Sequence, residues 1–135
     1  MPNKKVHYTS ELFNWEHYEL GDDDLLDYNK IGQQVKEFRP KLVVAGYSNY
    51  PHFYDFKKMR EICDQVGAIL MTDMAHVSGL VAAGLSPDPF EYSDIVTTTT
   101  HKTLRGPRGS IIFAKKNFNG RNLFNEVNEK VFPGI

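Results

Sequence analysis

The 135-residue sequence is poor in cysteine, in excess charge and in long apolar runs. Cys63 is its only cysteine, which excludes an internal disulfide and a cysteine-rich zinc site. The 16 Lys and Arg nearly balance the 17 Asp and Glu, so bulk charge does not indicate nucleic-acid binding. No apolar run approaches the roughly 20 residues of a membrane helix, and residues 1–8 do not resemble a secretory signal. These absences favour an intracellular, cytoplasmic protein, with a mitochondrial or plastid form left open.

The sequence does contain enough apolar residues for a core, since 41% are hydrophobic and 13% are aromatic. Short apolar runs over residues 42–47 and 68–72 are typical of buried parallel strands. Between them, apolar residues recur at three- and four-residue spacing from Asp55, a predicted N-cap, to Gly67, a predicted helix stop. Strand, helix and strand within about 30 residues predict a right-handed βαβ unit.

Three further segments show periodic patterns. Helical spacing between Asp27 and Pro40 predicts another helix, and residues 6–13 alternate in the manner of a strand. Residues 123–131 are predicted to form a short helix near the end of the sequence.

The last two strands are predicted over residues 94–100, which are dense in β-branched side chains, and over residues 109–114. The segment 103–108 between them is too short for a helical crossover, so this pair should be antiparallel. The predicted fold class is α/β, a three-layer and mostly parallel sheet with helical cover and an antiparallel last strand pair.

Ligands of an open parallel sheet bind beyond the carboxyl ends of its strands. Ser48 follows the first predicted core strand, Asp73 and His76 follow the second, and His101 and Lys102 follow the threonine-rich strand. We therefore expect a carboxylate, an amine, two imidazoles and a hydroxyl at one edge of the sheet.

Each of these residues also has a purely structural interpretation. Asp73 directly follows an apolar strand, so we expect it near the sheet interior with a cationic partner, unless it only caps the next turn. His76 reaches the same ligand only if the chain turns after Asp73, and otherwise it is a hydrogen-bonded core histidine. Lys102 at the mouth of a buried strand should be partly desolvated and a better nucleophile, whereas a solvated loop lysine is the alternative.

The sequence predicts neither a metal site nor a nucleotide loop. Asp73, His76 and His101 lack the spacing of known histidine metal motifs. Residues 79–84 have the glycine interval of a phosphate loop without its Lys-Ser/Thr continuation. Arg108 either binds an anion or faces water, and its position in the sequence does not decide between them.

Two strings are more specific than any of these patterns: MTDMAHVSGLVAAG at residues 71–84 and DIVTTTTHKTLRGPRG at residues 94–109. Together with PKLVVAGYSNY at residues 40–50, they resemble the serine hydroxymethyltransferases, pyridoxal-phosphate enzymes of the aspartate-aminotransferase fold type. The resemblance extends through KKMREI at residues 57–62 and VFPG at residues 131–134, and so covers nearly the whole chain.

The resemblance implies a role for each candidate residue. Lys102 would hold pyridoxal phosphate as a Schiff base, and Asp73 would pair with the pyridine nitrogen of the cofactor. His76 and Ser48 would lie near the ring hydroxyl. His101 would reach toward the phosphate and influence reaction specificity. Two further residues are implied: Thr99, assisting exchange between Schiff bases, and Arg108, ordering the lysine loop.

The implied reaction is the reversible transfer of a one-carbon unit from serine to tetrahydrofolate, which gives glycine and methylenetetrahydrofolate. Serine, glycine and folate are the implied small-molecule partners, and the family works as a dimer or tetramer. Neither a nucleic-acid nor a membrane partner is expected.

The resemblance further implies that residues 1–135 form the central part of the cofactor-binding large domain, without its N-terminal part and the small C-terminal domain. We expect such a segment to be inactive alone and to self-associate through exposed apolar surface. Two alternatives stay open: a threonine-aldolase-like pyridoxal-phosphate enzyme, and a non-catalytic α/β segment with at most weak cofactor affinity. The threonine-rich His-Lys string favours the hydroxymethyltransferase.

Overall fold

The computed structural model describes residues 8–46 and 48–134, which form a four-stranded sheet with helices on its faces. The strands are β1 (Leu42–Gly46), β2 (Ile69–Asp73), β3 (Ile95–Thr99) and β4 (Ser110–Ala114). The helices are α1 (Tyr8–Leu12), α2 (Tyr28–Phe38), α3 (Phe56–Asp64), α4 (Ser78–Ala82) and α5 (Leu123–Val131). Within these described residues, no helix is long and apolar enough to cross a membrane.

The spatial order of the strands follows their order in the chain. Strands β1, β2 and β3 are parallel, and their register places Asp73 opposite both Gly46 and Thr97. The carboxyl ends of these three strands therefore lie side by side, and we call this end of the sheet its carboxyl edge, as distinct from its outer strands. Strand β4 is antiparallel to β3, with Ser110 opposite Thr99, so the predicted mostly parallel sheet with an antiparallel last pair is confirmed.

Helix α3 begins directly after Asp55, its predicted N-cap, and α2 begins directly after Asp27, the lower bound of the predicted segment. The Asp27 carboxylate accepts hydrogen bonds from the first backbone N–H groups of α2, and Asp55 accepts one from Lys58 N at 3.0 Å at the start of α3. These bonds satisfy donors that have no partner inside the helix. After α3, Gly67 adopts a φ of 69°, a left-handed conformation that glycine tolerates and that ends the helix before β2.

The main core lies between one face of the sheet and helices α2 and α3. Alternate strand residues point into it, as expected from the two-residue side-chain period of a strand. Burial of each large core side chain contributes about 1.5–3 kcal/mol to folding. The residues of the main core include Ile31, Val35, Val43, Ala45, Met59, Ile62, Cys63 and Leu70.

On the opposite face of the sheet, helix α5 packs against strand β4. Ile112 points away from the main core because it alternates with Phe113, which is opposite the buried Val96. Phe124 and Val131 of α5 line a cleft with Ile112. Helices on both faces give the predicted three layers.

Two sequence-based assignments need correction. Residues 6–13 do not form a strand where the structure describes them, because Tyr8–Leu12 is helix α1, and residues 1–7 lie outside the described part. Tyr8 and Leu12 are exposed, so no sheet face buries them, and a helix pairs part of its own backbone. The second correction concerns boundaries: β2 covers Ile69–Asp73 rather than residues 68–72, β3 covers Ile95–Thr99 rather than 94–100, and β4 covers Ser110–Ala114 rather than 109–114. Residues 42–46 of the first predicted strand form β1, and Tyr47 lies outside the described residues.

Strand β4 supports the expected self-association. It lies at one edge of the sheet, and Ile111, Ile112 and Phe113 are each at least 40% exposed. An exposed apolar edge strand offers unpaired backbone groups to another chain. We therefore expect the 15.5 kDa chain to elute as species larger than a monomer in size-exclusion chromatography with light scattering.

The Ile111→Lys variant should shift this distribution toward the monomer, because a charge on an edge strand disfavours edge-to-edge pairing. Leu12→Lys is the matched control, since it changes a comparably exposed apolar residue on α1. Equal shifts in both variants, or a monomeric parent chain, would contradict the assignment of the association to β4.

Candidate functional site

Asp73 is the last residue of β2 and lies at the edge where the parallel strands end. Its side chain is exposed, and its Oδ1 accepts a hydrogen bond from Ala75 N at 2.9 Å. The expectation of a carboxylate near the sheet interior that needs a cation is therefore wrong, because the strand ends at Asp73 and water reaches the carboxylate. The capping interpretation is confirmed, and the turn that it stabilises leads directly to His76.

Lys102 and His76 come from different strand ends and meet at this edge. Lys102 Nζ lies 3.2 Å from His76 Nε2, and both side chains are exposed. Lys102 was expected to be partly desolvated, which is wrong for this structure because the loop after β3 lies on the surface. The interpretation of His76 as a core histidine is also wrong, since the turn at Asp73 carries the imidazole to the surface.

Thr99 and His101 lie beside this pair in the sequence, but they are half-buried. The Thr99 hydroxyl oxygen and His101 Nδ1 are buried polar atoms that have no hydrogen-bond partner within the described parts of the chain. An unsatisfied buried polar group costs about 1–3 kcal/mol. These two atoms therefore fit a site that is completed by a further polar group.

Ser48 and Arg108, the remaining candidates, are exposed. Neither side chain is hydrogen-bonded to Lys102 or His76 among the residues the structure describes. Ser48 lies two residues beyond Gly46, whose carbonyl accepts a hydrogen bond from the Tyr54 hydroxyl at 2.9 Å. Within residues 8–46 and 48–134, a hydrogen bond thus joins Lys102 with His76, and none links either of them to the side chain of Ser48 or Arg108.

The lysine loop, residues 100–109, is closed by Thr100. Thr100 N donates to Gly109 O at 3.0 Å, and Gly106 N donates to Thr100 O at 2.8 Å. The Thr100 hydroxyl also donates to Pro107 O. These bonds order the loop through the last threonine of the run, a role for which only Arg108 was predicted.

Sequence reasoning missed Thr103, the residue after Lys102. Its Oγ1 accepts a hydrogen bond from Gly79 N at 2.9 Å and lies 3.3 Å from Ser78 Oγ. Val77, the N-cap of α4, makes no side-chain capping bond, so Thr103 supplies that bond from another part of the chain. The nearest sequence signal was Gly79, whose lack of a side chain lets the two segments approach.

A methyl group at position 79 should disrupt this contact. A Cβ on Gly79 would lie 2.5 Å from the backbone oxygen of Thr103, so one of the two segments would have to move. We expect Gly79→Ala to lower the free energy of unfolding by about 1–3 kcal/mol, as overpacking usually does. Urea denaturation followed by circular dichroism measures this loss.

Gly32→Ala is the matched control for that substitution. A Cβ on Gly32, within α2, would meet Ile62 Cγ1 at an ordinary contact distance of 3.6 Å. Alanine is favoured over glycine in a helix interior, so this variant should be unchanged or more stable by up to about 1 kcal/mol. Equal stability of Gly79→Ala and the parent chain would show that the approach of Gly79 to Thr103 does not constrain the fold.

Sequence reasoning also missed a cluster at the amino ends of the strands, the amino edge of the sheet, where β2 and β3 begin. Asp94 is only 4% exposed, and its carboxylate pairs with Arg60 Nη1 and lies 3.4 Å from Lys115 Nζ. Leu70 N also donates to Asp94 Oδ2 at 2.9 Å. The available signal was an aspartate at the first position of the strand predicted over residues 94–100. The cluster stabilises the fold rather than forming part of the candidate site, because ligands bind at the carboxyl ends of the strands.

Comparison with known proteins identifies the family of the chain. The family model described as serine hydroxymethyltransferase matches residues 1–135, which is the whole chain. The chain belongs to the serine hydroxymethyltransferase family. Membership confirms the family suggested by the strings around Asp73 and Lys102, and it favours the hydroxymethyltransferase over the aldolase alternative.

Curated relatives named serine hydroxymethyltransferase agree with the family model. The Caenorhabditis elegans protein is 49% identical over 99% of this chain, and the Bombyx mori protein is 50% identical over 98%. The Dichelobacter nodosus protein is 49% identical over 96%. This chain covers only 28–30% of the length of these three serine hydroxymethyltransferases.

Proposed function

We propose that this chain carries the cofactor-attachment segment of a serine hydroxymethyltransferase, with Lys102 as the residue that binds pyridoxal phosphate covalently. The observation that carries the proposal is the position of Lys102. It follows β3 at the carboxyl edge of the parallel strands, and its Nζ is 3.2 Å from His76 Nε2. Membership in the family supports the same assignment.

The donor set at this edge fits such a cofactor. Lys102 supplies an amine for its aldehyde, and Asp73 supplies a carboxylate for its pyridine nitrogen. The buried Thr99 Oγ1 and His101 Nδ1, which have no hydrogen-bond partner among the residues that the structure describes, could each bind a further polar group there. Bound pyridoxal phosphate would accept electron density from an amino acid when a bond at the α-carbon breaks.

The candidate residues would contact different parts of the cofactor. The Asp73 carboxylate would hold a proton at the pyridine nitrogen, and its own orientation is fixed by the bond from Ala75 N. His76 and Ser48 would bind the ring hydroxyl, and His101 would approach the phosphate. Thr99 would assist exchange between Schiff bases. The loop containing Lys102 is already ordered by Thr100 and Thr103, so Arg108 would add to that order rather than create it.

For the whole protein, we propose the reversible transfer of a one-carbon unit from serine to tetrahydrofolate, giving glycine and methylenetetrahydrofolate. The relatives of that name support this reaction class. We propose the central part of the cofactor-binding large domain as the place of residues 1–135, and a dimer or tetramer as the assembly of the whole protein.

The cofactor assignment is tested by labelling. After incubation with pyridoxal phosphate and reduction with borohydride, peptide mapping should find the label at Lys102. The Lys102→Arg variant keeps the positive charge but should lose this label, because a guanidinium does not form the imine. Preferential labelling of Lys57, Lys58 or Lys115 would contradict the assignment.

A further inference from the structure

Lys102 Nζ and His76 Nε2 lie 3.2 Å apart, within hydrogen-bonding distance. An ε-ammonium group has donor hydrogens and no acceptor, so it can bond to His76 only in the tautomer whose Nε2 carries the free lone pair. The two residues are 26 positions apart in the chain, and each follows a different strand of the sheet. The contact is therefore a product of the tertiary fold.

Backbone bonds fix both partners close to their positions. On the His76 side, Met74 N donates to Thr97 O of β3 at 2.9 Å, which ties the turn after β2 to the neighbouring strand. On the Lys102 side, Thr103 Oγ1 accepts the bond from Gly79 N at 2.9 Å, which ties the lysine loop to α4. The turn that carries His76 is thus held next to the lysine loop, whether or not the two side chains are in contact.

We propose that His76 is a positioning residue that holds the Lys102 ammonium group before the cofactor binds. A lysine side chain has a flexible four-carbon stem, and a fixed acceptor restricts it to the carboxyl edge of the sheet. The ammonium group must leave His76 and lose a proton to water before the nitrogen lone pair can attack an aldehyde. The contact of His76 with Lys102 precedes the contact of His76 with the ring hydroxyl that the proposed function assigns. The present proposal rests on the proposed function only for the identity of the incoming aldehyde.

If His76 holds Lys102, then Lys102 should react with a small aldehyde more slowly than it does without the His76 contact. Such an aldehyde needs no cofactor site. Formaldehyde with cyanoborohydride methylates lysines through an imine, which forms with loss of water and is reduced by the added hydride. Mass spectrometry of the digested chain gives the rates for Lys102 and for the exposed Lys57 in one sample. We expect His76→Leu to speed methylation of Lys102 by about threefold to tenfold, as the loss of one hydrogen bond allows. The Lys57 rate should not change.

Two further variants distinguish a held amine from an altered fold. His76→Gln keeps an acceptor on a side chain of similar reach, so the Lys102 rate should return to within about twofold of the parent chain. His17→Leu removes an exposed imidazole from the segment between α1 and α2 and should leave the Lys102 rate unchanged. Unchanged or slower methylation of Lys102 in His76→Leu would overturn the proposal, and so would His76→Gln reacting as fast as His76→Leu.

The outcome is separable from that of the proposed function. Pyridoxal phosphate labelling outside Lys102 would refute the cofactor assignment and leave the hold intact. Labelling at Lys102, together with methylation rates that do not respond to His76→Leu, would refute the hold alone. His76 is exposed, so neither variant empties a buried position, and unchanged circular dichroism spectra should accompany the rates.

Discussion

Replacement of Asp94 by alanine is expected to lower the free energy of unfolding by about 3–5 kcal/mol, the usual effect of removing one partner from a buried ion pair. The Arg60 side chain, only 15% exposed, would keep its bond to Ala68 O at 2.9 Å and its pair with the exposed Asp64, but would lose its buried carboxylate partner. Leu70 N would also lose its acceptor, which leaves a buried donor at the start of β2. Since small domains are stable by only about 5–15 kcal/mol, much of the variant should be unfolded in low urea.

The matched control is Glu126→Ala, which removes the carboxylate of the exposed pair with Arg121. Exposed pairs contribute little because water screens them, so the urea midpoint should not change measurably. The urea midpoint of Asp94→Asn should fall between those of Asp94→Ala and Glu126→Ala, because the amide oxygen can still accept a hydrogen bond from Leu70 N. A midpoint for Asp94→Ala equal to that of the parent chain would show that the cluster at the amino edge does not stabilise the fold.

The chain of 135 residues is expected to have almost no serine hydroxymethyltransferase turnover, even with saturating pyridoxal phosphate. Asp73, His76 and Lys102 are all exposed, so the described residues do not enclose a ligand at the carboxyl edge or exclude water from it. Positioning of reactants accounts for about 7–11 kcal/mol of a barrier. Losing most of it would lower the rate by about five orders of magnitude or more.

An assay with serine and tetrahydrofolate measures this loss against the Bombyx mori relative, of which this chain covers only 30%. Lys102→Arg, purified in the same way, separates residual turnover by the chain from a host contaminant. Turnover within a hundredfold of the relative, absent in Lys102→Arg, would show that these residues alone form a working site. Labelling of Lys102 without turnover is the expected result.

Much of the fold was predictable because its signals are local. Asp27 and Asp55 mark helix starts through bonds to backbone N–H groups only two or three residues away. The short link between β3 and β4 forced an antiparallel pair, since no crossover fits in it. Residues 6–13 were misassigned because their weak alternation was read without knowing that no sheet face would bury them.

The candidate site was only partly predictable. The strand-end positions of Asp73, His76 and Lys102 followed from the apolar runs before them, and the family strings identified the chemistry. Their exposure did not follow, because it depends on where the strands end and on what covers the edge. Thr103 was missed since its partner Gly79 is 24 residues away and no local pattern joins them.

The sequence by itself therefore determined the α/β class, the N-cap of α3 at Asp55, the strand order along the chain and the family, all of which depend on local spacing or on specific strings. The tertiary structure alone decided that Lys102 Nζ meets His76 Nε2, that Thr103 caps α4, and that Asp94 is paired with Arg60 and Lys115. The physical reason is the same in each case. These contacts join residues 21 to 34 positions apart, and only the packing of the strands beside one another brings such residues within hydrogen-bonding distance.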